Sequence, residues 1–321
     1  MVSRSGSATH DRLALEILMM MKTTLLLLLL PIGLLTAGPY PPAAGEEGSE
    51  AIALDDPRVV QWASLVSDYA PGEDVDEMWQ DSEQALGKAE GTHLDIVCLG
   101  RGGEITLEFS PPIKEGPGPD FAVFENSFSD SFLELAYVEV STDGLNFFRF
   151  ENASLTQSPV GPFGSLDTTD VDGLAGKYRQ GFGTPFDLSD LGATPGLDRS
   201  KVRFVRLKDV VGGTSLDSSG RIIYDPWPGS GAAGFDLDAI AVLKVGPPQV
   251  LTAGIDGGNF SLSWTSQPGA RYRIEASSLL DFDSWNEVAK VEALSPVSEL
   301  AIPLGASGRL FYRVVLDEAT D

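Results

Sequence analysis

Residues 133–150 read LELAYVEVSTDGLNFFRF. Two runs rich in apolar and β-branched residues, LELAYVEVS and LNFFRF, flank Thr142-Asp143-Gly144. An Asp-Gly pair between two such runs supplies the residues that tolerate a tight turn, so the stretch predicts a β-hairpin. The same grammar continues on both sides. EITLEF at 104–109 alternates, with Ile105, Leu107 and Phe109 on one face and Glu104, Thr106 and Glu108 on the other. DFAVFEN (120–126), VRFVRLKDVV (202–211) and GFDLDAIAVL (234–243) read as further strands. The 35 glycines and 21 prolines in 321 residues imply many turns, which favours an all-β chain.

Other segments read differently. DDPRVVQWASLVSDY (55–69) has acids and a proline at its start and apolar Val59, Trp62 and Val66, a spacing that predicts a helix. Residues 71–91 predict an acidic connector with partial helical character, and residues 151–199 a long irregular stretch. KVGPPQV (244–250) marks a boundary. Beyond it FSLSW, RYRIEAS, SWNEVAKV and RLFYRVVL repeat the short-strand pattern over residues 246–321, which suits a small immunoglobulin-like sandwich.

The N-terminal MMMKTTLLLLLLPIGLLTAG (19–38) has a basic start at Lys22, an apolar run from Leu25 to Leu35 and small residues at Ala37 and Gly38. It predicts a secretory signal peptide over residues 1–37, cleaved after Ala37 or, alternatively, after Ala44. Residues 1–18 then lie upstream of a translation start at Met19–Met21. Residues 38–50 predict a flexible leader, and the mature chain is expected to be secreted with no membrane span. The lone Cys98 permits no intramolecular disulfide and reads as a buried, inert thiol.

A net charge of −25 excludes nucleic acid and anionic membranes as natural partners. Histidine chemistry has only His10 and His93 to draw on, and no Gly-x-Ser-x-Gly elbow accompanies them. GRGG at 100–103 precedes a strand, not a helix, and so fails as a phosphate loop. Glu125 and Glu134 flank NSFSDSFL and are the carboxylate pair a glycan hydrolase would need, against a reading as solvated loop acids. Calcium suits the chain better, because it takes carboxylates, amides and carbonyls in irregular geometry. In a regular strand Asp236 and Asp238 share a face with Ile240 and Val242, while Phe235, Leu237, Ala239, Ala241 and Leu243 share the other. A Ca²⁺ ion bound by Asp236 and Asp238 with Glu125 and Asn126 would relieve their repulsion. DSSGRIIYD (217–225) opens like an EF-hand loop, but Arg221 and Ile222 stand where a ligand and a glycine are needed. Tyr178, Phe182, Tyr224 and Trp227 lie in Gly- and Pro-rich loops and are candidates for ligand stacking, or for pinning those loops to the fold.

GPGPDFAVFENSF, FLELAYVEVSTDGLNFFRF, LAGKYRQGFGTPFDLSDL, VRFVRLKDVVG and YDPWPGSGAAGFDLDAIAVL occur in this order over about residues 85–245. In these blocks the chain resembles a family of secreted bacterial "cell surface proteins". VEVSTDGLNFFRF is also similar to the strand-turn-strand of galactose-binding-like jelly rolls. The resemblance implies a jelly-roll β-sandwich over 51–245 with a structural Ca²⁺, and a fibronectin- or immunoglobulin-like module over 246–321. It implies a binding protein of the cell surface or extracellular space, with carbohydrate as the ligand. The alternatives are capture of a small nutrient or cofactor such as cobalamin for an outer-membrane transporter, a carboxylate-dependent glycan hydrolase, and a structural or adhesion protein with a surface protein partner. Sequencing of the exported protein is expected to find its N-terminus between Gly38 and Glu46; retention of residues 20–30 would exclude a cleaved signal.

Overall fold

The structure is a computed structural model that describes residues 37–317 except 93, 244–247, 249, 267–269, 280–283, 296 and 304–309. The expected signal segment and His93 lie outside the described residues, as does most of the expected boundary at 244–250. The chain is all-β. Its first thirteen strands are β1 (Ile52–Ala53), β2 (Gln61–Trp62), β3 (Leu65–Ala70), β4 (Val97–Cys98), β5 (Glu104–Ile113), β6 (Phe121–Glu125), β7 (Ala136–Ser141), β8 (Phe148–Arg149), β9 (Ala153–Ser154), β10 (Val171–Asp172), β11 (Phe182–Phe186), β12 (Val202–Asp209) and β13 (Asp236–Val242). One sheet runs β1-β11-β6-β13-β2, with β4 also on β13; a second runs β3-β5-β12-β7-β8, and β9 and β10 form a separate two-stranded sheet.

Alternation explains how the two sheets close on each other. Ile105, Leu107 and Phe109 from β5, Val138 and Val140 from β7, and Val205 and Leu207 from β12 share one core with Phe121 and Val123 from β6. Each such side chain, fully buried, contributes roughly 1.5–3 kcal/mol as an upper estimate. The hairpin forms as the sequence predicts: Val140 faces Phe148 and Glu139 faces Arg149. Its loop is organised by Asp143, whose Oδ1 accepts from the N–H groups of Leu145 and Asn146 at 2.8 Å.

Strand β13 departs from simple alternation. Its register against β6 shifts between Leu237 and Ala239, a β-bulge that adds one residue to one side. Facing parity therefore reverses at Asp238. Phe235, Leu237, Ile240 and Val242 face the core between the sheets, whereas Ala239, Ala241 and Leu243 join Ala122, Phe124 and Ile52 on the outer face. The shared face expected for Asp236, Asp238, Ile240 and Val242 does not exist.

Three further segments differ from the sequence reading. Residues 55–69 form a turn followed by two short strands, not a helix. Val59 and Trp62 pack on the outer face of the first sheet and Val60 and Val66 on the core, so the spacing that reads as one helical stripe serves two surfaces. The pairing of β2 with β13 and of β3 with β5 fills open strand edges, and this tertiary pairing overrides local preference. FGTPF, within the stretch expected to be irregular, is β11, hydrogen-bonded between β1 and β6. Residues 38–50 are a docked strap, not a flexible leader. Gly38 and Tyr40 donate N–H bonds to Thr169, at 2.6 Å to its hydroxyl and 3.1 Å to its carbonyl. The Arg179 guanidinium holds the Ala44 carbonyl at 2.8 Å, and Ala43 and Ala44 are buried. Only glycine fits at 38, since a Cβ there would lie 2.1 Å from the Thr169 carbonyl oxygen. The connector does carry helical turns, short 3-10 segments at Glu77–Trp79 and Ser82–Ala85.

Beyond residue 249 the strands are β14 (Val250–Asp256), β15 (Asn259–Thr265), β16 (Arg271–Ser277), β17 (Asn286–Glu292), β18 (Val297–Pro303) and β19 (Phe311–Leu316). They make two three-stranded sheets, β14-β15-β18 and β17-β16-β19. Leu262, Trp264, Tyr272 and Ile274 form their core, with the Trp264 and Tyr272 rings edge to face at 6.1 Å.

Deleting residues 38–50 is expected to lower the thermal midpoint and to speed proteolysis around Arg179. An unchanged melting curve would show that the strap adds nothing to stability.

Candidate functional site

β6 ends at Glu125, and the loop that leaves it builds one wall of a cavity of about 630 Å³. Glu125 Oε2 accepts the Ser127 N–H at 2.8 Å, which turns the chain out of the sheet. The Ser127 hydroxyl then closes the loop onto the Phe132 carbonyl. This closure stacks Phe128 on Phe132, with ring centroids 4.8 Å apart, and brings Phe163 to 6.3 Å from Phe132. Phe128 is 66% exposed and Phe163 87% exposed, a contiguous aromatic surface open to solvent. Trp79, Ile96 and Pro228 to Ser230 also line it.

The polar lining is acidic. Glu134, Asp236 and Asn126 face the same cavity. Behind them lie Glu125, Asp209 and Asp225, all buried. Burial pushes the Glu125 and Glu134 carboxyls well above the usual carboxylate range, and the neighbouring charge of Asp236 pushes them further. Asp236 is raised to about 6 by burial, against hydrogen bonds from the Cys98 thiol and the Asn126 amide. Asp225 is pushed well up by burial and by Asp209. Asp209 is raised to about 7 by burial, although the Gly102 and Phe235 N–H groups donate to it at 2.8 and 2.9 Å. None of the ion pairs among the described residues involves Glu125, Glu134 or Asp236. Glu125 Oε1 and Asp236 Oδ1 are buried without a hydrogen-bond partner.

The structure thus brings Glu125, Asn126 and Asp236 together and leaves Asp238 out. Past the bulge, the Asp238 carboxylate accepts the N–H groups of Glu90 and Gly91 at 3.2 and 3.0 Å, and burial raises it to about 6. No three Asp, Glu, His or Cys side chains converge on one point among the described residues. Glu134 is not the solvated loop acid of the sequence reading, since it is buried and lines the cavity.

The four aromatic candidates are placed elsewhere. Tyr178 is 2% exposed and has no face for a ligand; its hydroxyl is held by the backbone of Glu50 and the side chain of Ser49, so it pins the strap. Phe182 lies on β11 beneath the Arg179 guanidinium, 4.6 Å from the ring. Arg101 lies over the Trp227 ring at 4.9 Å, and Trp227 stays 37% exposed but, like the half-buried Tyr224, does not line this cavity. The residues just after Trp227, Pro228, Gly229 and Ser230, do line it. Sequence reasoning misses Trp79, Phe128, Phe132 and Phe163. A signal is there: two phenylalanines in the otherwise polar NSFSDSF, and a third in GPFG.

No family model and no curated protein matches this chain. Among solved structures it is similar to a β-1,2-glucanase from Parabacteroides distasonis, at 16% identity and a TM-score of 0.19, over 70% of this chain and 31% of that one. A likeness at that score carries no argument about fold or activity.

Asp209 sets a pH dependence. Its carboxyl titrates near 7 when folded and near the ordinary value of 3.8 when unfolded, so the folded state holds its proton between those values. The stability this adds is complete below about pH 4 and is lost as pH rises through about 7. Denaturant midpoints are expected to fall between pH 5 and pH 8 in the native chain and to fall less in D209N. Parallel declines would show Asp209 ionised throughout.

Proposed function

We propose that the chain is a secreted binding protein whose β-sandwich takes a carbohydrate in the cavity beside Phe132. The observation that carries this reading is the pairing of a stacked aromatic wall with a carboxylate and amide floor. Aromatic faces take the C–H face of a sugar ring, and Glu134, Asp236 and Asn126 supply acceptors for its hydroxyls. The volume of about 630 Å³ falls in the range of small-ligand sites. The acidic floor selects against anionic glycans, so the ligand is a neutral or amino sugar. The docking of residues 38–44 supports processing after Ala37 over processing after Ala44, because the later cut would remove part of the strap.

Two cavity carboxylates also favour a second reading, a glycan hydrolase in which one of Glu134 and Asp236 is the acid. Binding measured on a glycan array and by calorimetry separates the two. Saturable binding without reducing-end release is the expected outcome. F132A is expected to weaken binding about fivefold, on the order of 1 kcal/mol for one aromatic contact, with little change in midpoint. Turnover abolished by E134Q or D236N would replace the binding reading with the hydrolase; no binding to any glycan would remove both.

A further inference from the structure

We propose that the cavity beside Phe132 takes an amino sugar by its protonated amine, and that Asp236 is the residue that selects this charge. The inference rests on the carbohydrate reading and narrows it from neutral or amino sugars to amino sugars alone. An imbalance in the lining carries it. None of the described residues that line the cavity is a lysine, an arginine or a histidine, whereas Glu134 and Asp236 are both acids. Asp236 is 6% exposed, and its Oδ1 has no hydrogen-bond partner. Burial raises it only to about 6, so it is a carboxylate at neutral pH. No ion pair among the described residues reaches it. A buried carboxylate that lacks both a donor and a counter-charge is costly, and a ligand that brings both relieves the cost.

A sugar hydroxyl would bring Asp236 a donor and no charge. An ammonium brings both, in a charge-assisted hydrogen bond about twice as strong as a neutral one. The aromatic wall favours the same ligand, because a ring face attracts a cation as well as the C–H face of a sugar. Trp79, of the aromatic type that attracts cations best, lines the same cavity. Glu134, pushed further up by burial and by the charge of Asp236, is left for a ring hydroxyl. The lining is also poor in donors for an acceptor-rich ligand. Apart from a protonated Glu134, its side-chain donors are the Trp79 indole, the Ser230 hydroxyl and the Asn126 amide, and the last is committed to Asp236. An N-acetyl group would replace the ammonium by a neutral amide whose carbonyl needs a donor. It would thus remove the charge and add an acceptor to satisfy.

The test titrates the full chain by calorimetry at neutral pH with three oligosaccharides of equal length and linkage, built from glucosamine, N-acetylglucosamine and glucose. The glucosamine oligomer is expected to bind at one saturable site, about tenfold or more tightly than either of the others. D236N is expected to abolish that preference, whereas F132A weakens all three sugars alike. A chain of net charge −25 also attracts any cationic oligomer diffusely. A preference that survives intact in D236N is that diffuse attraction and would overturn the proposal. Equal affinity for the three sugars, or binding confined to other glycans on the array, would overturn it and leave the carbohydrate reading standing. Absence of binding to every glycan would overturn both. The comparison of the three sugars is made on the native chain, so it decides even if D236N fails to fold.

Discussion

Long loops in a β-sandwich carry backbone N–H groups that neither sheet can satisfy, and every buried one needs an acceptor. This chain meets that constraint with aspartates. Asp120 accepts from Gly116 and Leu188, Asp209 from Gly102 and Phe235, Asp225 from Leu135, Asp238 from Glu90 and Gly91, and Asp217 from Ser154, Ser219 and Arg221. Each carboxylate pins residues distant in sequence or closes a turn. These five buried aspartates are therefore internal scaffolding, and the positions of the loops around the cavity depend on them.

That scaffolding concentrates charge where the loops converge. Asp209 and Asp225 are engaged by backbone amides, and Glu125 commits one oxygen the same way. Asp236 and Glu134 reach further, to the cavity surface. One sequence habit, acids at strand ends and in turns, thus yields both the frame and the polar floor. The aromatic wall is independent of it and comes from a single loop closed by Ser127, joined by Phe163.

Much of the sheet architecture is legible from alternation. EITLEF, FAVFE and VRFVRLKD read as strands because their periods are short and regular, and the Asp-Gly hairpin follows from turn chemistry. Residues 55–69 mislead because two-sided burial mimics a helical stripe. FGTPF escapes notice because its proline and glycine argue against a strand that the edges of β1 and β6 nevertheless recruit. At the site, Glu125, Asn126 and Asp236 are legible as oxygen-rich strand ends. Asp238 is not, since one extra residue in β13 reverses which way every later side chain points, and no local pattern announces a bulge. Tyr178 is misplaced for another reason. Its exposure is inferred from Pro and Gly content, whereas a strap whose sequence reads as loose covers it.

The strap and the first strands also shape how the chain must reach this state. Gly38 meets Thr169, β1 pairs with β11, and β2 pairs with β13 at Ala241 and Val242. The earliest described residues thus close the sheet against partners about 130 to 180 positions downstream. Loop-closure entropy is lost before those contacts form, which makes assembly slow. During directional synthesis, β2 and the edge of β6 around Phe124 lack their partner strand until residue 242 has emerged. An early-exposed, late-satisfied edge of this kind is where a chaperone has the most to protect.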